Sequence, residues 1–426
     1  MSDTPQRSSY SPAAPVPPSE RVFSGRDAFA LWFSLGIGLL VLQAGALLVP
    51  ALSLPQACAA IVVGSAIGVL LLALVATIGA DTGTAAMASL APALGRRGAT
   101  LPACLNVVQL FGWAAFEIIV MRDSANALTS QAFGVSHPLL WTVIFGALAT
   151  WLAIAGPLSF VRRFLRSWGL WLLLAAALWL SWNLFAHEDV AALWHRAGTG
   201  GLAFGASLDL VIAMPLSWLP LIADYSRFGR SPRGMFIGTA AGYGIANCWF
   251  YLLGAAYGLA AGGGDMLTRS LALAGGGFAL LLILIDETDN AFADIHSAAV
   301  SGGVLLPSAR TPVLALAFGA AATLAALTVP MARYENFLLL IGSVFAPLFG
   351  VVLTDHFVLR RRRAPQANGG WRGLPYLAWA LGIAAYHAIA RWLPDAGATL
   401  PALAIAALAH WLMQRGAQRR FAQHRA

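Results

Sequence analysis

Apolar runs of about twenty residues, separated by short polar loops, succeed one another along this chain from Arg26 to residue 414. A membrane-crossing helix needs about 20 predominantly apolar residues. The pattern predicts twelve, near 28–53, 56–79, 100–128, 137–156, 165–186, 207–225, 233–262, 271–305, 311–329, 333–358, 373–391 and 396–414. The first 25 residues, with prolines at 5, 12, 15, 17 and 18 among Ser and Ala, predict a disordered arm. That arm is polar and too long for the n-region of a cleavable signal peptide.

Composition narrows the class. Of 426 residues, 59% are hydrophobic and 10% charged, with a mean hydropathy of +0.73. A soluble domain carries about 25% charge, so soluble enzymes and nucleic-acid modules are excluded. An all-α polytopic membrane protein remains. The net charge of +8 resembles a nucleic-acid signature, but the basic residues sit in short loops, where their partner is lipid headgroup. Cys58, Cys104 and Cys248 lie inside apolar segments with no paired spacing, which predicts neither a disulfide framework nor a cysteine metal site.

All 26 basic residues are arginine, and their distribution orients the chain. With the N-terminus in the cytoplasm, 21 arginines fall inside, including Arg96, Arg97, Arg162, Arg163, Arg166 and the run Arg360–Arg363. Four fall outside: Arg196, Arg269, Arg333 and Arg391. Arg122 lies near the outer end of the third helix. This asymmetry predicts both termini inside a plasma membrane.

Three helices depart from a plain apolar span. The first carries Leu35-Gly36-Ile37-Gly38 and then Gln43-Ala44-Gly45; glycines there are either packing notches or a local unwinding that frees carbonyls for an ion. The sixth carries Pro215 and Pro220 with Ser217 and Trp218 between them, and each proline removes an amide donor and crowds the preceding turn. Broken helices at matching positions in two halves point to a transporter site. The spacing of these two suits an inverted repeat of five helices. It divides the chain into a cytoplasmic arm (1–26), a first repeat (27–186), an outer loop (187–206), a second repeat (207–358), an Arg-rich loop (359–372), helices eleven and twelve (373–414) and a tail (415–426).

The eighth helix is the strongest signal. Asp286, Glu287, Asp289 and Asp294 lie near its middle, where four ionised acids would cost about 10 kcal/mol or more to insert. The helix must therefore line a polar interior. Asp286, Glu287, Asn290, Asp294 and Ser297 share an arc of about 100 degrees, while Thr288 and His296 point elsewhere. A structural reading competes for any single acid, as a cap on a break or a partner for Arg122. In the third helix, Trp113 and Glu117 are four residues apart and stack on one face, with Gln109 and Asn106 continuing the stripe. A flat aromatic beside a carboxylate suits a nitrogen heterocycle: a face for the ring and an acceptor for its N–H groups. Tyr243, Asn247, Tyr251 and Tyr257 on the seventh helix are explained equally well by packing. Asp355-His356 reads as a pair at the cytoplasmic boundary.

Five segments together resemble the nucleobase:cation symporter family of purine and cytosine permeases. They are LGIGLLVLQAGALLVP, ALGRRGA, GWAAFEIIVM, IADYSRFGR and TDNAFADIHSAAVS. Their combination is most similar to the hydroxymethylpyrimidine transporter branch, which serves thiamine biosynthesis and salvage. The resemblance spans helices one to ten. It implies a leucine-transporter-like fold of two inverted five-helix repeats, with substrate between helices one, three, six and eight. By resemblance, Trp113 is the stacking aromatic and Glu117 stands where relatives often carry Gln, which favours a cationic or amino-rich ring. Trp218, next to Ser217, is the second aromatic, and Asn290 or Asp294 is the polar reader on helix eight. A sodium site maps to Gly36, Ile37 and Thr288; with proton coupling, Glu287 or Asp286 titrates. The expectation is cation-coupled uptake of hydroxymethylpyrimidine, or of cytosine or another purine or pyrimidine, with no cofactor beyond the coupling ion.

Other classes have weaker footing. Gly262-Gly263-Gly264-Asp265 formally matches the Gly-x-Gly-Asp of intramembrane aspartyl proteases, but a transmembrane Tyr-Asp partner is missing. No His-Glu-x-x-His is present for a zinc protease. A channel would need a repeated filter or a ring of charges, which one acidic helix does not supply.

Overall fold

The computed structural model describes residues 14–155, 169–262, 276–359 and 370–423. Helix starts follow local capping chemistry. Helix α1 (Gly25–Ser34) opens on a reciprocal box in which Ser24 Oγ accepts from Asp27 N and Asp27 Oδ2 accepts from Ser24 N. Helix α2 (Leu39–Ala46) follows after a break and is bent 59° from α1. Helix α3 (Leu54–Thr82) begins with Pro55 in its first turn and Gln56 accepting from Ser53 N. Then come α4 (Thr100–Phe133), α5 (Pro138–Ala155), α6 (Leu170–His187), α7 (Phe204–Ser217) and the short α8 (Ile222–Ser226). Helices α9 (Pro232–Ala261), α10 (Gly276–Leu305), α11 (Thr311–Ala325), α12 (Tyr334–Leu353), α13 (Gly373–Trp392) and α14 (Thr399–Gln423) complete the chain.

Among the described residues, eight helical spans are long and apolar enough to cross a membrane, with α7 and α8 forming one of them, and the bent pair α1–α2 makes a ninth. The acid-bearing α10, the 15-residue α11 and α14 supply the remaining three of the predicted twelve. Large apolar side chains such as Trp151, Trp171, Trp182 and Phe185 stand on the outer surface of α5 and α6, as lipid contact requires.

The helices that carry the breaks pack backbone to backbone. A Cβ on Gly254 of α9 would lie 1.9 Å from the Leu42 carbonyl oxygen, and one on Gly45 of α2 would lie 2.2 Å from that of Tyr251. Only glycine permits this approach, as is usual between membrane helices, where close packing replaces the hydrophobic driving force. Helix α10 runs along α4 on the other side, and the site lies between these two layers.

The structure changes three boundaries. The expected disordered arm ends sooner: Val16 N donates to Gly83 O, Arg21 Nη1 to Ala80 O, and Phe23 N to Phe228 O, each at 2.8 Å. Arginine supplies the donors that the last carbonyls of α3 lack, so composition alone understated the order there. The third span runs on to Phe133, five residues past its predicted end. The predicted tail continues as helix to Gln423, because Gln, Arg and Ala are good helix formers although Gln and Arg are not apolar. The pair Asp355-His356 divides, with His410 Nε2 3.2 Å from Asp355 in a buried contact and His356 3.6 Å from Asp81 at the end of α3.

Helix α14 is tied to the broken sixth span by Asp209 of α7, which accepts from Ala398 N at 2.6 Å and Thr399 N at 2.9 Å. Replacing this buried acceptor strands two amide groups. Asp209→Ala is expected to lower stability by about 3 kcal/mol, read as a lower thermal midpoint of the purified protein in detergent. An unchanged midpoint would show that α14 is anchored by other contacts.

Candidate substrate site

Backbone groups released at a helix break inside a membrane must find partners within the protein. At the first break, residues 35–38, Leu39 N donates to Glu287 Oε2 of α10 at 2.9 Å. Glu287 thus caps α2 from another helix, with its carboxyl at the positive end of the helix dipole. Gly38 makes room for it: a Cβ there would lie 3.2 Å from Glu287 Oε2. One turn earlier, Ser34 Oγ donates to Asp289 Oδ2 at 2.6 Å.

The second break, residues 218–221, is held from α4. Gln109 Nε2 donates to Ser217 O at 3.2 Å, and Asn106 Nδ2 donates to Pro220 O at 3.1 Å and to Ser301 Oγ at 2.8 Å. Helix α7 passes through Pro215 and ends at Ser217, so Pro220 alone lies in the break. Just beyond it, buried Asp224 of α8 accepts from Ala86 N at 2.8 Å and pins the connection after α3.

Between the two breaks lies a small enclosed cavity of ≈ 20 Å³, room for about one water-sized molecule. Its walls include Trp113 and Glu117 from α4, Ser217 and Trp218 from the second break, and Asn290 and Asp294 from α10. Glu287, Tyr243 and Gly38 complete its polar surface. Trp113 meets Tyr334 and Phe337 of α12 edge-on, with centroids 5.8 and 5.5 Å away, and Trp218 meets Trp32 edge-on at 5.7 Å. Trp113 Nε1, Tyr243 Oη, Glu117 Oε2, Glu287 Oε1 and Asn290 Oδ1 are buried without a hydrogen-bond partner. Buried polar atoms normally have partners. Carboxyl and amide oxygens, an indole N–H and a phenol around one cavity therefore define what a ligand must offer, with the Glu117 and Glu287 carboxyls side by side.

The chain from residue 15 to 412 matches the family model described as permease for cytosine/purines, uracil, thiamine, allantoin. The chain belongs to this permease family. It is 24% identical to the hydantoin permease of Microbacterium maritypicum over 417 residues, covering 89% of this chain and 85% of that one. It is 28% identical to the cytosine permease of Escherichia coli K12 over 334 residues, 74% of each. Among solved structures, that of Mhp1, a nucleobase-cation-symport-1 family transporter in a closed conformation with bromovinylhydantoin bound, superposes with a TM-score of 0.84. It is 20% identical and covers 96% of both chains. The permease accordingly has the leucine-transporter-like fold and is a transporter, not an enzyme.

All six residues expected to contact substrate reach the cavity wall, although Ser217 Oγ is engaged by donating to Met214 O at 2.7 Å. The expected ion ligands lie apart from it. Gly36 faces α9, where an added Cβ would lie 2.8 Å from Ala246 Cβ, and Ile37 and Thr288 are buried outside the cavity lining. The side chain of Asp286 lies outside the described residues, as do positions 263–265 of the Gly-Gly-Gly-Asp match. Arg122 pairs with Asp123 at 2.7 Å and donates to Ala326 O, not to the acids of α10 among the described side chains. On α9, Asn247 donates to Ser65 and Tyr251 to Leu210 O, both packing roles, whereas Tyr243 reaches the cavity. Sequence reasoning missed that role, because the helical spacing of Tyr243 matches that of its packing neighbours.

The clearest reassignment concerns Gln109 and Asn106, which hold the second break and do not line the cavity. Gln109→Leu leaves the Ser217 carbonyl unpaired and is expected to destabilise the permease by about 1–3 kcal/mol. Thermal unfolding in detergent checks this; a Gln109→Leu protein as stable as the parent would mean that another donor reaches that carbonyl.

Proposed function

We propose that the permease imports an aminopyrimidine, most favourably hydroxymethylpyrimidine, the thiamine precursor, across the plasma membrane by cation symport, with both termini cytoplasmic. One observation carries this reading: the cavity faces its ligand with unpaired acceptors from Glu117, Glu287 and Asn290 beside the ring of Trp113. A ring bearing an exocyclic amino group and ring N–H or protonated ring nitrogen supplies the missing donors. A diketo ring offers only its ring N–H donors and turns carbonyl oxygens toward the remaining acceptors, leaving at least one of them unpaired. Cytosine, also an aminopyrimidine, is the second reading, favoured by the similarity to a cytosine permease.

In this mechanism Trp113 and Trp218 hold the ring, while Glu117, Asn290 and Asp294 read its edge. Substrate needs more space than the present cavity offers, so entry and exit require the broken helices α1–α2 and α7–α8 to move against α4 and α10. A sodium ion near Gly36, Ile37 and Thr288, or a proton on Glu287 or Asp286, favours the outward-open, substrate-receptive state. Its release inside then lowers substrate affinity by the same coupling free energy.

Uptake of labelled hydroxymethylpyrimidine and cytosine into proteoliposomes under imposed sodium or proton gradients tests the reading. Accumulation of neither compound under either gradient would overturn it. Trp113→Ala is expected to raise KM about tenfold, since base–aromatic stacking contributes about 1–3 kcal/mol per base. Glu117→Gln exchanges an acceptor for a donor and is expected to shift the uptake ratio of cytosine to uracil about tenfold toward uracil. Equal ratios in parent and variant would remove Glu117 from the site.

A further inference from the structure

A second cavity lies at the start of α1, away from the break that follows that helix. An open groove of ≈ 790 Å³ runs along the first turns of α1 and α9, the ends at which both spans begin. Arg26 and Arg230 stand on its wall, and Phe29, Ile237 and Ala241 form its apolar part deeper along the helices. Both arginines are exposed, and Ile237 is 53% exposed. Among the described residues neither guanidinium has a hydrogen-bond or ion-pair partner. Asp27, the acid on the same wall, accepts from Ser24 N at 2.8 Å and Ser24 Oγ at 2.7 Å and is buried in that capping role. The groove thus presents two exposed guanidinium groups and one capping carboxylate at its polar end and an aliphatic and aromatic floor leading away from them.

We infer that this groove binds one anionic glycerophospholipid, its phosphodiester between Arg26 and Arg230 and an acyl chain along Phe29 and Ile237. Charge and apolar surface are ordered along the groove as in the lipid itself, with the head at the start of two spans and the tail running in their direction. A free anion would satisfy the arginines and leave the apolar floor uncovered. A zwitterionic lipid would cover the floor and bring a compensating positive charge to the arginines. Guanidinium is suited to a phosphodiester because its planar fork gives two parallel N–H donors. The site is independent of the substrate reading, because it takes its ligand from the bilayer and shares no residue with the central cavity.

The test is native mass spectrometry of the purified full chain in detergent, supplied with equimolar phosphatidylglycerol and phosphatidylcholine. The parent protein is expected to retain one phosphatidylglycerol in preference. At about 1 kcal/mol for each arginine near an anionic surface, Arg26→Ala/Arg230→Ala is expected to lose about thirtyfold in retention. Arg233→Ala, an exposed arginine outside the groove lining, is expected to retain it. Equal retention of the two lipids by the parent, or retention by the double variant matching the parent, overturns the proposal. So does displacement of the lipid by millimolar inorganic phosphate, which would mark a free-anion site. Should the double variant fail to fold, photo-crosslinkable phosphatidylglycerol on the parent decides the matter. Adducts on peptides covering 22–30 and 230–241 support the groove, and adducts confined elsewhere overturn it.

Discussion

Two interrupted helices in an apolar solvent set the terms for everything else in this permease. Each break releases amide and carbonyl groups that water would satisfy in a soluble protein and that hydrocarbon cannot. Partners therefore have to come from neighbouring helices at fixed heights. Glu287 meets the amide at the start of α2, and Gln109 and Asn106 meet the carbonyls around the second break. The breaks, α4 and α10 form one unit, and the cavity is the space that this unit encloses.

The polar residues of that unit divide by what they already hold. Asn106, Ser34, Gln109 through Nε2 and Asp289 through Oδ2 are engaged with backbone or with each other, while Gln109 Oε1 and Asp289 Oδ1 have no partner. At the cavity, Trp113 Nε1, Tyr243 Oη, Glu117 Oε2, Glu287 Oε1 and Asn290 Oδ1 are buried and unengaged. Burying an acceptor without a donor costs about 1–3 kcal/mol, and a donor-bearing ligand would remove that cost on binding. Glu287 belongs to both groups, since one oxygen caps α2 while the other remains unpaired. A ligand touching the free oxygen would act directly on the cap of a broken helix, which gives occupancy a physical route to the position of α1 and α2.

Much of the site was legible because hydrophobic patterning makes a buried acid conspicuous. Four acids in the eighth span and the Trp113–Glu117 pair stand out against apolar neighbours, and helical spacing placed the latter on one face. The same spacing put Asn106 and Gln109 on that face, and they are there, but lower along α4, opposite the carbonyls of the second break. Periodicity gives the direction in which a side chain points and not the height of its partner on another helix. Gly36 and Gly38 illustrate the same limit. Both lie in the first break, yet one faces α9 and the other faces Glu287. The packed segment 14–23 escaped notice because Arg21 contributes by reaching the Ala80 carbonyl of α3, a contact that composition does not record.

By itself the sequence determined the order of the apolar spans, the break in the sixth and the polar interior of the eighth. These follow from transfer free energies and backbone sterics, which act along the chain and need no partner. Only the tertiary structure decided which polar atoms are consumed by the breaks and which remain for a ligand. That division depends on distances between helices far apart in sequence, and a hydrogen bond made or missed by one ångström leaves no trace in the order of residues.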